Sequence, residues 1–308
     1  MKLNMAAKKR REAYIFILPG FIYLVAICGY PLIYNLILSF KNVNVKNLAT
    51  GASVFVGLDN YKQLFADPTF QLVFKNTIEF TLACLVVQFT IGFLFAMFFS
   101  KKFTLAGPIR GLVLVGYMMP MSVTALLGKN LFLLDGGVIN DLLMKVHLIS
   151  SPIDWLVNGG TALGAVIAVN CWVGIPYTML QVTGVLQNVP SELYEAAKID
   201  GANAAQIFFK ITLPYIMFIM GPYIITQFTG NINNFNVIYL LSAGKPTPVG
   251  DSAGKTDLLV TWLYKLTIDN QEYNIGAVIG ILTFIVLSIV ALVTYRNTKS
   301  YKDEEGFM

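Results

Sequence analysis

Asn170, Gly174 and Tyr177 recur at i, i+4 and i+7 in an otherwise apolar stretch, a spacing that puts all three on one narrow face of a helix turning about 100° per residue. Further along, Asn231, Asn233 and Asn234 crowd together. A carboxamide donates and accepts at once, as a hydroxyl does, while glycine leaves room for a bulky ring and tyrosine offers an apolar face with a polar tip. The set suits non-covalent recognition of a hydroxyl-rich molecule. It equally suits hydrogen bonding between neighbouring helices.

Bond-making chemistry is poorly supplied. Cys28, Cys84 and Cys171 all fall in apolar runs with no CxxC spacing, and His147 is the one histidine of the chain, so a zinc site is excluded. The cysteines read as buried thiols acting as small hydrophobes. His147 stands among Asp141 and Asp154 without a serine or cysteine nucleophile pattern. Gly250 to Thr256 looks like a phosphate-binding loop but has three residues between its glycines, where the pattern needs four. No catalytic residues are expected.

The elements that must position the amides are set by composition. The chain is 56% hydrophobic and 13% charged, against roughly 25% charged in an average soluble domain. A bilayer core of about 30 Å needs about 20 apolar residues per helix. Runs of that order lie near Tyr14–Phe40, Asn76–Ser100, Gly111–Leu134, Thr161–Leu186, Pro214–Leu241 and Ile275–Tyr295. The expected fold is therefore an all-α integral membrane protein of about six transmembrane helices, kinked at Pro19, Pro31, Pro120, Pro176 and Pro222. The net charge of +5 reads as membrane topology, since no basic stripe is interleaved with base-stacking aromatics and nucleic acid is not implied.

Lys8, Lys9, Arg10 and Arg11 precede the first run. That run is too long for the apolar part of a cleaved signal, so an uncleaved first helix with a cytoplasmic N-terminus is expected. Six crossings return the C-terminus, with Arg296, Lys299 and Lys302, to the same side. The expected organisation is a basic N-terminus over 1–13, one transmembrane domain over 14–295 and a cytoplasmic tail over 296–308. Lys129 and Asn130 fall toward the outer end of the third run, where a lysine stem can reach the headgroups. Glu79, near the outer start of the second, is treated alike.

The link at 188–214 is mostly polar yet reads as ordered. Pro190 and Ser191 start a helix, Glu192 and Glu195 sit in its first turns, Gly201 interrupts it, and a second amphipathic set from Asn203 to Lys210 runs into Pro214. Within it, Glu195-Ala196-Ala197 is followed by three residues, Gly201, nine residues, and Ile211-Thr212-Leu213-Pro214. The small alanines allow close approach, the glycine a sharp turn, and Glu195 and Asp200 offer charge to a partner.

This segment matches, at every defining position, the EAA signature of permease subunits of binding-protein-dependent ATP-binding-cassette importers, and the chain resembles that family over essentially its whole length. It is most similar to the sugar permeases of maltose and oligosaccharide type, through Val56 to Tyr61, Gly136 to Asn140 and Gly254 to Val260. The resemblance implies a type I importer permease fold in a bacterial cytoplasmic membrane. It implies a second homologous permease, a dimer of ATP-binding subunits that alone bind ATP and magnesium, and an extracellular or periplasmic solute-binding protein. It implies that Glu195, Ala196, Ala197, Asp200 and Gly201 couple to the ATPase and that Asn170, Gly174, Tyr177, Asn231 and Asn234 contact sugar. Gly230 stands where those relatives carry an aromatic residue. Another carbohydrate, a polyol or a glycerol-phosphate-type substrate is the alternative. An ion-coupled carrier would need intramembrane acid or base relays, which are scarce here.

Overall fold

The structure is a computed structural model, and it describes residues 2–101 and 103–296. Lys299 and Lys302 lie outside the described residues. Four helices are long and apolar enough to cross a bilayer, and two bent helix pairs raise the number to six if each pair is one span. The chain separates into two compact units.

One unit takes in the chain up to Ala66 together with Leu266–Leu282. Helix α1 (Lys2–Leu24) passes through a π-turn (Val25–Gly29) into α2 (Tyr30–Ser39). Pro31 supplies no N–H to that helix, and the widened turn just before it accommodates the missing bond. Cys28 is exposed, unlike the buried thiol expected from its apolar surroundings, because residues 7–28 of this span are all exposed within the chain. A two-residue strand β1 (Lys41–Asn42), helix α3 (Val45–Thr50), strand β2 (Val54–Phe55) and helix α4 (Asp59–Ala66) follow, the strands pairing antiparallel with Lys41 opposite Phe55. Asn60 ties this loop together. Its amide donates to the carbonyls of Ser39 at 2.8 Å and Lys41 at 2.9 Å and accepts from Asn274 at 2.9 Å.

The other unit begins at Asp67, runs to Lys265 and resumes at Thr283. Asp67 caps α5 (Pro68–Phe99) through the Thr69 N–H. The expected third span is broken. Helices α6 (Ala106–Met118) and α7 (Met121–Leu131) meet at 98°, because Met119 ahead of Pro120 is extended, as a residue before proline prefers. A short helix α8 (Val138–Lys145) leads to α9 (Ala162–Gln187), which absorbs Pro176 without a break. Two short helices, α10 (Ser191–Ile199) and α11 (Ala204–Ile207), pass through a π-turn (Phe208–Thr212) into α12 (Leu213–Ile219). The fifth span then bends by 59° at Met220, ahead of Pro222, into α13 (Gly221–Ile232) and α14 (Phe235–Leu241). Helix α15 (Leu259–Tyr264) and a π-turn (Lys265–Asp269) precede α16 (Tyr273–Arg296).

Glycines let the helices of this unit close on α9. A Cβ at Gly92 of α5 would lie 2.5 Å from Thr178, one at Gly116 of α6 would meet the Trp172 carbonyl at 3.2 Å, and one at Gly128 of α7 would meet Val169 at 2.9 Å. Close backbone approach of this kind is how helices gain dispersion energy in a solvent as apolar as their own side chains. Buried polar groups fasten the loops. Asn140 donates to the carbonyls of Leu133, Leu134 and Ile153 and accepts from Ile153 N and Trp155 Nε1. Asp257, wholly buried, accepts from Gly254 N at 2.7 Å, Thr261 Oγ1 at 2.9 Å and Lys265 Nζ at 2.6 Å.

Replacing Gly92 with Val is expected to force α5 off α9 and to cost about 1–3 kcal/mol of stability, whereas Gly164→Ala, with open space around it, stays within about 0.5 kcal/mol. Thermal unfolding of both purified variants in detergent measures the difference.

Candidate functional site

Three of the four asparagines marked from sequence converge on a glutamine that sequence reasoning did not mark. Asn170 on α9 donates to Asn231 Oδ1 at 2.9 Å and to Cys84 Sγ at 3.1 Å, while Asn234 donates to Asn170 Oδ1 at 2.7 Å. Asn231 at the end of α13 donates to Gln88 Oε1 at 3.4 Å, and Gln88 on α5 donates in turn to the Asn170 backbone carbonyl at 3.3 Å. Asn234 also caps α14, accepting from Val237 N. Four amides thus join α5, α9 and the α13–α14 break. Gln88, Asn170 and Asn231 are buried and Asn234 is half-buried. Asn233, their sequence neighbour, is exposed and makes no part of the ring.

Gly174 belongs to the same arrangement by what it lacks. A Cβ there would fall 2.3 Å from the Gln88 side chain, so the glycine holds the space the fourth amide fills. The signal for Gln88 was present: an uncharged polar side chain in the middle of an apolar run is a functional candidate by default in a membrane helix.

Tyr177 lies two turns of α9 beyond Asn170, in an aromatic group. Its ring stacks on Tyr117 at 5.1 Å between centroids and stands 5.8 Å from Tyr223, whose hydroxyl bonds that of Thr178. Tyr117 and Tyr223 were not marked from sequence, since each reads as one more aromatic in an apolar run. Amides that donate and accept, set beside aromatic faces, can match the hydroxyls and the apolar ring faces of a carbohydrate. Gly230 is exposed, with nothing within 4 Å of where a side chain would begin.

The second candidate surface is α10 with α11. Helix α10 closes in a Schellman motif: Gly201 takes φ +77°, its N–H bonds the Lys198 carbonyl at 3.1 Å, and Ala202 N–H bonds the Ala197 carbonyl at 2.9 Å. Asn203 then opens α11 in a reciprocal capping box with Gln206. Ala197 is buried and Ala196 exposed. Glu195 and Asp200 are exposed, with no ion pair among the described residues. Between them the turn presents apolar side chains to solvent: Ile199 is 86% exposed and Phe209 64%. Underneath, Phe208 packs edge-on against Phe93 of α5, and the Tyr215 hydroxyl bonds the Asn188 carbonyl at 3.0 Å.

The described residues form a set of apolar candidate spans with a capped helix-turn-helix between two of them, and the comparisons give the chain a family. The model of the binding-protein-dependent transport system inner membrane component matches residues 88–299, and the chain belongs to that family. It is 35% identical over 302 residues to the galactooligosaccharides transport system permease protein GanP of Bacillus subtilis, covering 95% of this chain and 72% of that one. It is 32% identical over 304 residues to the maltodextrin transport system permease protein MdxF of the same organism, covering 95% and 70%. The fold is shared with a chain of the bacterial alginate ABC transporter in complex with an alginate pentasaccharide-bound periplasmic protein, at a TM-score of 0.79 and 20% identity over 98% of this chain and 99% of that one. The protein is accordingly a permease of the inner membrane.

Gln88→Leu leaves the Asn231 amide N–H without its acceptor, though Asn231 Oδ1 keeps its bond from Asn170, and is expected to cost about 1–3 kcal/mol. Adding Asn231→Leu should cost less than the sum of the two single changes, since both members of the pair are then apolar. A double-mutant cycle by thermal unfolding reads this, and strict additivity would mean the ring is not energetically coupled.

Proposed function

We propose that this chain is one transmembrane half of an ATP-driven importer for an oligosaccharide, of maltodextrin, galactooligosaccharide or similar type. The observation that carries the reading is the α10–α11 unit, a capped helix-turn-helix whose left-handed Gly201 turn offers Ile199 and Phe209 to a partner between exposed carboxylates. That partner is an ATP-binding subunit, which binds ATP and magnesium and hydrolyses ATP, while Glu195, Ala196, Ala197, Asp200 and Gly201 form the joint. The names of GanP and MdxF support the sugar class.

In this proposal six spans over 14–295 form a single permease domain, with both termini and the segment at 188–214 cytoplasmic. A second, homologous permease completes the path, and a solute-binding protein delivers substrate from outside. Asn170, Gly174, Tyr177, Asn231 and Asn234 line the path. Amides that bond one another in one state can exchange those bonds for sugar hydroxyls in another, so a state that opens the ring is the one sugar stabilises. ATP binding favours the outward-open state, and hydrolysis returns the pore inward.

Two variants separate the roles. Gly201→Val places a β-branched residue at φ +77°, costs about 1–3 kcal/mol at the turn, and is expected to abolish oligosaccharide uptake together with co-purification of the ATPase. Asn170→Ala is expected to lower uptake at least tenfold while the ATPase stays attached, the order expected for about 1.4 kcal/mol or more of lost interaction. Unchanged uptake of labelled maltodextrin and galactooligosaccharide by cells carrying Gly201→Val would sink the coupling role.

A further inference from the structure

On the far side of α9 from the amides, a cavity of about 750 Å³ runs along the bend between α6 and α7. Met119, Leu127, Leu131, Val138, Val169 and Trp172 give it an almost wholly apolar lining, with Asn130 as one of its few polar groups. Its size falls in the roughly 300–1,000 Å³ range of ligand sites. Trp172 is 60% exposed. At about 100° per residue, Ala168 and Trp172 stand roughly opposite Asn170 and Tyr177, so the groove faces away from the amide ring. If the ring faces the substrate path, as proposed above, the groove faces away from that path.

The groove continues onto α8. Val138 lines it, and Leu142 and Val146 extend the same exposed apolar edge along that helix. Lys145 lies on this edge, about 10 Å beyond Val138 at 1.5 Å per residue. It is exposed and makes no ion pair among the described residues. Asp141 sits one turn earlier, in the first turn of α8. Lys129 is on the opposite side of α7 from Leu127 and Leu131 and does not face the groove.

We propose that this groove binds one anionic phospholipid in the leaflet opposite the α10–α11 unit. An acyl chain lies against Trp172, Leu127 and Leu131, and the headgroup phosphate meets Lys145 at the end of α8. The apolar trough supplies affinity for any chain, and the single unpaired cation beyond its mouth supplies the preference for negative charge. A lysine beyond the end of an apolar trough matches a negatively charged headgroup on an acyl chain, which favours lipid as the occupant; a helix of a second permease is the occupant the test would reveal instead.

The test uses the transporter as purified, reconstituted in phosphatidylcholine with a small fraction of brominated-chain lipid carrying either a glycerol or a choline headgroup. Trp172 emission is read as the difference between wild type and Trp172→Phe. Brominated phosphatidylglycerol is expected to quench it at about fivefold lower mole fraction than brominated phosphatidylcholine, with Lys145→Glu removing the preference and leaving the quenching. Equal quenching by both lipids in wild type means contact with bulk bilayer only, and no quenching by either means protein fills the groove; each overturns the proposal. Because this readout does not involve uptake, it stands or falls separately from Asn170→Ala, whose unaltered uptake would overturn the substrate assignment alone.

Discussion

An amide placed between helices in hydrocarbon has no water to bond, and each unsatisfied group there costs several kcal/mol. Gln88, Asn170, Asn231 and Asn234 meet this constraint by bonding one another and one backbone carbonyl, across three chain segments. The arrangement dictates much around it. Gly174 must lack a side chain for Gln88 to fit. The span that carries Asn231 must break before Asn234, so that the second asparagine can cap α14 and still reach α9. Such a ring is strong only while complete, and a ligand with alternating donors and acceptors is the kind of molecule that could replace its bonds one for one.

The same helix that carries Asn170 carries the connection to the other candidate surface. From Asn170 to Gln187, α9 runs unbroken for about 25 Å at 1.5 Å per residue, and α10 begins at Ser191. The return path is packed as well. Phe208 rests on Phe93, Tyr215 holds Asn188, and the π-turn over Phe208–Thr212 delivers the chain into the fifth span. In the proposed mechanism a push on the α10–α11 turn would travel along these packed helices, which is what a joint that biases two states of a distant ring requires.

Long apolar runs and the Gly201 turn were legible in the sequence because they are local. Four spans lie where hydrophobic length placed them, and Gly201 turns the chain where the sequence put the interruption, whereas the Asn203 capping box was not marked. The 98° break at Pro120 was not legible as such, since proline inside a span can kink it gently or end it, and tertiary packing decides. The loops held deeper information. Asn60, Asn140 and Asp257 sit inside the three stretches between spans that carried the family likeness, and each proves to be a buried anchor with several partners. Their role depends on contacts between segments far apart in sequence, as does that of Gln88, so composition and spacing could mark the amides of α9 and α13 yet miss the one that completes them.

The most direct measurement is to tag this chain in its native cells, extract it in mild detergent and identify by mass spectrometry what comes with it. A half-transporter built around the α10–α11 joint should bring one similar permease and an ATP-binding subunit. Recovery of this chain alone, from cells whose oligosaccharide uptake still depends on it, would contradict the account.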